Sequence, residues 1–155
     1  MPKYVLDTNL YIKATRDDGW NQALERFFLT CTPAIYLHSV VAMEVLAGAT
    51  SPELEDRTQE RFIRPLERRG RVITPSHGAW KRAAGALTQL QREHTVSQNG
   101  IKRSLVNDLL IAASALDHGF VLVTENERDF QLVAHILPLE VVPPWPDQGV
   151  ATSAT

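Results

Sequence analysis

The stretch from Asn107 to Thr124 reads NDLLIAASALDHGFVLVT, and it decides the fold. Asn107 to His118 is an apolar run at helical spacing. His118 in the last turn suits the negative end of the helix dipole, and Gly119 is a natural left-handed stop. Phe120 to Thr124 then reads as a buried strand. A helix delivered directly into an apolar strand is half of a βαβ unit, the signature of a parallel sheet covered by helices.

The same alternation extends outward from this stretch. Lys3 to Leu6 reads as a short strand. Asp7-Thr8-Asn9 caps a helix over Leu10 to Thr15. A loop at residues 16–19 leads to a helix over Asn21 to Leu29, which Pro33 ends. Ile35 to Leu37 reads as a second strand, and Ser39 caps a helix over Val40 to Ala49. Ser51-Pro52-Glu53 starts another helix, kinked or interrupted near Pro65 and ended by Gly70. Val72-Ile73 is a strand, and Ser76 caps a helix from His77 to Glu93. Thr95 to Ser104 reads as a polar loop, and Leu139 to Val142 as the last strand. The pattern predicts an α/β sandwich of three layers, α/β/α, around a central, mainly parallel sheet. One domain spans residues 1–142, and a Pro-rich surface tail spans 143–155.

Composition narrows the class. The chain has 155 residues and a formal net charge of −2. A single domain of this size folds without staples, and Cys31 is the only cysteine. No run reaches the ~20 apolar residues of a membrane span, and the N-terminal apolar run is short and ends in a carboxylate. A soluble cytoplasmic protein is expected. The net charge argues against a nonspecific nucleic-acid binder. Its distribution qualifies that argument, because Arg57, Arg61, Arg64, Arg68, Arg69 and Arg71 crowd one segment.

The acids carry the chemistry. In an open α/β sheet, ligands bind beyond the carboxyl ends of the strands. Asp7 lies there, and so does the segment Thr124-Glu125-Asn126-Glu127-Arg128-Asp129. Glu44 is the only charge in Val40 to Ala47, and Asp108 the only charge in Leu105 to Ala113. A carboxylate in such a setting costs several kcal/mol unless it is paired or metal-bound. Asp7 can also act as a plain helix cap, and Asp108 as an acid favoured by a helix N-terminus. Their conjunction with Glu44 favours a shared site. Carboxylates within ~4–6 Å of one another need a counter-charge. Oxygen-only ligands select Mg²⁺ or Mn²⁺ over zinc. Such a cation can activate water and steady a leaving oxygen in phosphodiester cleavage. Thr8, Asn9, Thr124 and Asn126 can orient ligands or waters by hydrogen bonds.

Four segments, in order, resemble the PIN-domain nucleases, and among them the VapC-type toxins of toxin–antitoxin systems. They are Val5 to Asn9, Ser39 to Ala49, Asn107 to Ala113 and Leu122 to Phe130. The resemblance implies a PIN fold, commonly dimeric, and a metal-dependent endoribonuclease. By position, Asp7, Glu44 and Asp108 match the family's three acids and so its metal ligands. Asn126 matches a fourth position that is Asp or Asn, with Asp129 as the alternative. The resemblance also implies a cognate antitoxin, a homodimer, and structured RNA such as tRNA as substrate. Arg61, Arg64 and Arg68 are candidate RNA contacts. They are equally well read as a solvated helix face paired with Glu55, Glu60 and Glu67.

Two other readings compete. A degenerate PIN-like module could bind RNA or a partner without catalysis, and the neutral Asn126 leans that way. A phosphoacceptor receiver wants an acidic pair after the first strand and a Lys after a late one. Here Thr8-Asn9 and Glu125 stand at those places. The five histidines lack metal-motif spacing and are expected on the surface or at helix caps. Ser104 and Ser114 lack a partner that would make either a nucleophile.

Overall fold

The computed structural model describes residues 2–93 and 100–146. The chain begins with β1 (Lys3–Leu6), α1 (Thr8–Ala14), α2 (Asp18–Cys31), β2 (Ile35–His38), α3 (Ser39–Ala47), α4 (Pro52–Thr58) and α5 (Arg64–Arg68). It continues with β3 (Val72–Ile73), α6 (His77–Arg92), α7 (Arg103–His118), β4 (Phe120–Val123), α8 (Glu127–Ile136) and β5 (Val141–Val142). The five strands form one sheet in the order β3-β2-β1-β4-β5. Every neighbouring pair is parallel, and the helices complete the expected α/β/α sandwich.

That order positions the site. From β1 the chain builds outward through β2 to β3, then returns to lay β4 on the other side of β1. The order therefore reverses between β1 and β4, where a crevice opens at the carboxyl ends of the strands. The register sets Leu6 opposite Val123, so the residues that follow, Asp7 and Thr124, emerge side by side. All four residues of β4 are buried, as the unbroken apolar run requires of a strand covered on both faces.

Several boundaries differ from the sequence reading, each for a local reason. Helix α2 starts at Asp18 because Asp17 caps it, its carboxylate accepting the Trp20 N–H at 2.7 Å. Helix α3 is capped by His38, not Ser39: Nδ1 of His38 accepts the Val40 N–H at 3.1 Å. Pro65 interrupts its helix as expected. It has no N–H to donate and its ring crowds the preceding turn, and the chain passes it through a widened π-type turn at Gln59–Ile63. Gly70 and Gly119 adopt positive φ, 64° and 68°, at the helix ends assigned to them.

Two helices depart from the expected pattern. Helix α7 starts at Arg103, so part of the expected loop is helical. Of the rest of that loop, residues 95–99 lie outside the described residues, as do 147–155 of the tail. Helix α8 begins within the acidic segment at residues 124–129 that follows β4, and Phe130 and Val133 form its buried stripe. Trp145, assigned to the surface tail, packs at 5.5 Å from Trp20 and 5.6 Å from Phe27, ring centre to ring centre.

Candidate active site

Asp7 is held by the fold's central hydrogen bonds. Its own N–H donates to the Val123 carbonyl at 2.9 Å, continuing the β1–β4 ladder by one residue. Its carboxylate caps α1, accepting the Thr8 N–H at 2.8 Å. The other carboxylate oxygen accepts the Thr124 hydroxyl at 2.8 Å. Capping and site-building are thus not alternatives for Asp7, because one oxygen serves each.

Glu44 reaches the same place from α3. Its Oε1 accepts the Thr8 hydroxyl at 2.8 Å. Thr8 therefore joins Asp7 and Glu44, using its backbone N–H for one and its hydroxyl for the other. Thr124 is fully buried, and its oxygen also accepts the Asn126 N–H at 3.0 Å. A continuous relay runs from Asn126 through Thr124, Asp7 and Thr8 to Glu44.

Asp108 comes from α7. The helix begins at Arg103, so Asp108 lies in its second turn, past the end where the dipole is felt. The helix-dipole reading of this acid is thereby set aside. Burial pushes its carboxyl up to about 7, with Asp7, Glu44 and Asp129 adding like-charge repulsion. Asp7 is also raised, mainly by burial. The hydrogen bonds from Thr124 and Thr8 oppose that, and Glu44 and Asp129 add to it.

The expected site residues meet in one open cleft of about 280 Å³, lined by Asp7, Thr8, Asn9, Glu44, Asp108, Asn126 and Asp129. Thr124 lies beneath it, bonded to Asp7. Asn126 precedes α8 without capping it by its side chain. Asp129 stands in the first turn of the same helix and contributes to the field at both Asp7 and Asp108. The cleft also takes in Ile12, Ser104 and Phe130, which the sequence reading had not placed there. Ser104 is one helical turn before Asp108, a relation hidden when α7 was started at Asn107.

Among the described residues, no Lys, Arg or His forms an ion pair with Asp7, Glu44, Asp108 or Asp129. Nearby Lys13 is engaged instead by Glu125, at 2.6 Å, and by the Trp20 ring at 4.4 Å. The donor set is all oxygen and carries repulsion that a divalent cation relieves. In chemistry and charge the cleft fits Mg²⁺ or Mn²⁺. As the side chains stand, no three acidic, His or Cys groups among the described residues are grouped to hold a metal. Thr8 and Thr124 hold Glu44 and Asp7 in the hydrogen-bonded arrangement described above.

The three candidate RNA-contact arginines lie elsewhere. Arg61 donates to the Asn21 side chain, lies 3.6 Å from Glu25 and stacks 5.2 Å from the Phe62 ring. Arg64 pairs with Glu60 and lies 4.0 Å from Asp56, and Arg68 lies 3.9 Å from Glu60. Of the histidines, His38 is buried, and His77, His118 and His135 are exposed. His94 lies outside the described residues.

Comparison with known proteins follows the same lines. The family model described as PIN domain matches residues 4–136. A search of curated proteins finds no match. Among solved structures, the DNA-bound VapBC complex of Salmonella typhimurium contains a chain 25% identical, with a TM-score of 0.69. The match covers 92% of this chain and 98% of that one. VapBC2 of Rickettsia felis, bound to a DNA fragment of its promoter, has a chain 25% identical at a TM-score of 0.62, covering 90% and 97%. A toxin–antitoxin complex from Klebsiella pneumoniae has one 25% identical at 0.61, covering 92% and 98%.

Proposed function

The chain belongs to the PIN domain family, and from that premise we propose that it is a metal-dependent endoribonuclease, the toxin of a toxin–antitoxin pair. The observation that carries this reading is the cleft at the β1–β4 switch point. Asp7, Glu44, Asp108 and Asp129 share it, and burial, with like-charge crowding added, raises Asp108 to about 7. Four acids without a counter-charge are costly to a fold that gains nothing from them.

Asp7, Glu44 and Asp108 would hold Mg²⁺ or Mn²⁺. When bound, the cation supplies the missing positive charge, activates water and stabilises the oxygen that leaves. The protein's own part is to hold the acids in place. Thr124 fixes one oxygen of Asp7 and Thr8 the other, while Thr8 also orients Glu44. Asn126 and Asp129 line the same cleft, and either would complete the site. Asn126 offers a neutral donor and acceptor, and Asp129 a further negative charge. Asn9 lines the cleft as a neutral group able to bond water or ribose hydroxyls.

RNA as substrate, structured RNA such as tRNA in particular, follows from the resemblance to VapC-type toxins. An antitoxin partner is supported by neighbours solved as VapBC and toxin–antitoxin complexes. A homodimer and a cytoplasmic location belong to the same proposal. No helix among the described residues is long and apolar enough to cross a membrane. Arg61, Arg64 and Arg68 enter the proposal as auxiliary phosphate contacts, because each is already engaged by an acid or an amide.

The test is to sequence the 5′ ends of cellular RNA after brief induction of wild type and Asp7→Asn. New ends are expected with the wild type alone. Purified Asp7→Asn that retained wild-type cleavage with Mg²⁺ or Mn²⁺ would exclude the assignment. A second reading, a binding module without catalysis, is favoured by the neutral Asn126. Calorimetric titration with Mn²⁺ separates the two, since such a module takes up no metal at the cleft.

A further inference from the structure

An acid-lined cleft repels the phosphates it is meant to cut. The strand on either side of the scissile bond needs positive charge close by. The arginines that crowd the sequence do not supply it directly, because Arg61, Arg64 and Arg68 are held by acids or an amide. The candidates are arginines without such partners on a path that leads away from the cleft.

Helix α1 leads to them. Thr8 and Ile12 line the cleft, and Arg16 follows at the same four-residue spacing just past the end of the helix. Ile12 is shared with a trough of about 160 Å³ between α1, α3 and α4, which also takes in Thr15, Arg16, Leu54 and Thr58. Thr15, Leu54 and Thr58 carry the trough on to Arg57 and Arg61. No Asp or Glu among the described residues lines this path. Arg16 and Arg57 are exposed and make no side-chain hydrogen bond or ion pair with any described residue. A neutral, hydroxyl-bearing floor beneath two uncommitted guanidinium groups is complementary to a sugar–phosphate chain.

From this geometry we infer that Arg16 and Arg57 form a phosphate-binding trough that holds the RNA strand on one side of the scissile bond. The inference rests on the endoribonuclease reading above. An RNA strand fits this path better than a protein segment does. The larger apolar groove beyond it, lined by Leu24, Phe28, Leu29 and Phe62 with a volume of about 440 Å³, is the place for apolar side chains. The trough adds two uncommitted guanidinium groups and threonine hydroxyls to its apolar residues.

The test uses the full chain carrying Asp7→Asn to prevent cleavage, and a short fluorescein-labelled single-stranded RNA of mixed sequence in Mg²⁺. Arg16→Gln and Arg57→Gln are each expected to weaken binding about three- to tenfold. Each should also flatten the log–log salt slope by about 0.7, the value of one lost phosphate contact on a single strand. Arg64→Gln and Arg68→Gln should do less. With Asp7 restored, the two substitutions should raise KM while leaving kcat near wild type, and the melting temperature should stay unchanged. Wild-type affinity and salt slope in both variants would overturn the trough and leave the nuclease reading intact. A parent protein that neither binds nor cuts RNA would overturn both. Weakened capture of a co-expressed partner protein with RNA binding unchanged would assign these arginines to a protein contact, and so also overturn the trough.

Discussion

The cleft and the arginine arc from Arg57 to Arg71 are both crowded with charge, yet they handle it in opposite ways. On the arc, charges of both signs lie close together in solvent, and Arg64 and Arg68 are met by Glu60. Exposed pairs of this kind contribute a few tenths of a kcal/mol each. In the cleft, four like charges come from separate elements, two of them perturbed by burial, and among the described residues no base answers them. Density of charge in the sequence is therefore a poor guide to function. Charge that the fold leaves uncompensated is a better one.

The largest effect that would break this contrast is loss of activity. Asp7→Asn or Asp108→Asn should lower cleavage of a defined RNA by at least about a hundredfold, with far-UV circular dichroism unchanged, because each removes a ligand of the proposed cation. Thr124→Val comes next. It removes the hydroxyl that fixes Asp7 and should cost about 10- to 100-fold in activity or in Mn²⁺ affinity. Thr124→Ser, which keeps the hydroxyl, should recover most of both. A Thr124→Val protein with wild-type Mn²⁺ affinity and rate would show that the relay is merely structural.

Stability sharpens the contrast in the other direction. Asp108 is raised from 3.8 to about 7 in the fold, so the folded state favours its protonated form. That contribution is complete below the unfolded value and is lost as pH rises through about 7. In chelator at about pH 8, Asp108→Asn should therefore stabilise the protein by about 1–2 kcal/mol, a figure discounted for partial exposure. The gain should vanish near pH 4, and thermal melts at the two pH values decide it. An equal gain at both would mean that packing, not charge, is the cause. Arg64→Gln on the arc should shift stability by no more than about 0.5 kcal/mol at any pH.

A buried titratable position lies between these extremes. His38 is buried, and its Nδ1 caps α3 while Nε2 has no hydrogen-bond partner. Burial, with a smaller push from His118, lowers it from 6.5 to about 4. Its folded value is below its unfolded one, so its own contribution to stability falls as pH drops from about 6.5 toward 4. The Asp108 contribution runs the opposite way over that window, so the test is a difference: by chemical denaturation, His38→Asn, which keeps a capping oxygen, should gain stability relative to wild type as pH drops from about 6.5 toward 4.

Much of the site was legible because its signals are local. Glu44 and Asp108 stand out as lone charges in apolar helices, and Asp7 as an acid at a strand end. The misreadings were local too, and they arose where two signals overlapped. Asn126 to Asp129 carries acids that mark a strand-end loop, and these masked the start of α8 and its Phe130 and Val133 stripe. Arg103 and Ser104 read as polar loop, which concealed the first turn of α7 and Ser104's place in the cleft. His38 was passed over as a cap because Ser39 beside it is the commoner capping residue.

By itself the sequence determined that this is a parallel α/β domain with acids gathered at the carboxyl ends of its strands. Periodicity, caps and strand-end position are properties of neighbours along the chain. The tertiary structure alone decided that β4 lies against β1, that the Thr124 hydroxyl reaches Asp7 across 117 residues, and which arginines are left without partners. Those outcomes depend on which distant segments share a sheet edge, and on which opposite charges lie within reach once the chain has closed. Hydrogen bonds and ion pairs act over a few ångströms in space, whatever the separation in sequence.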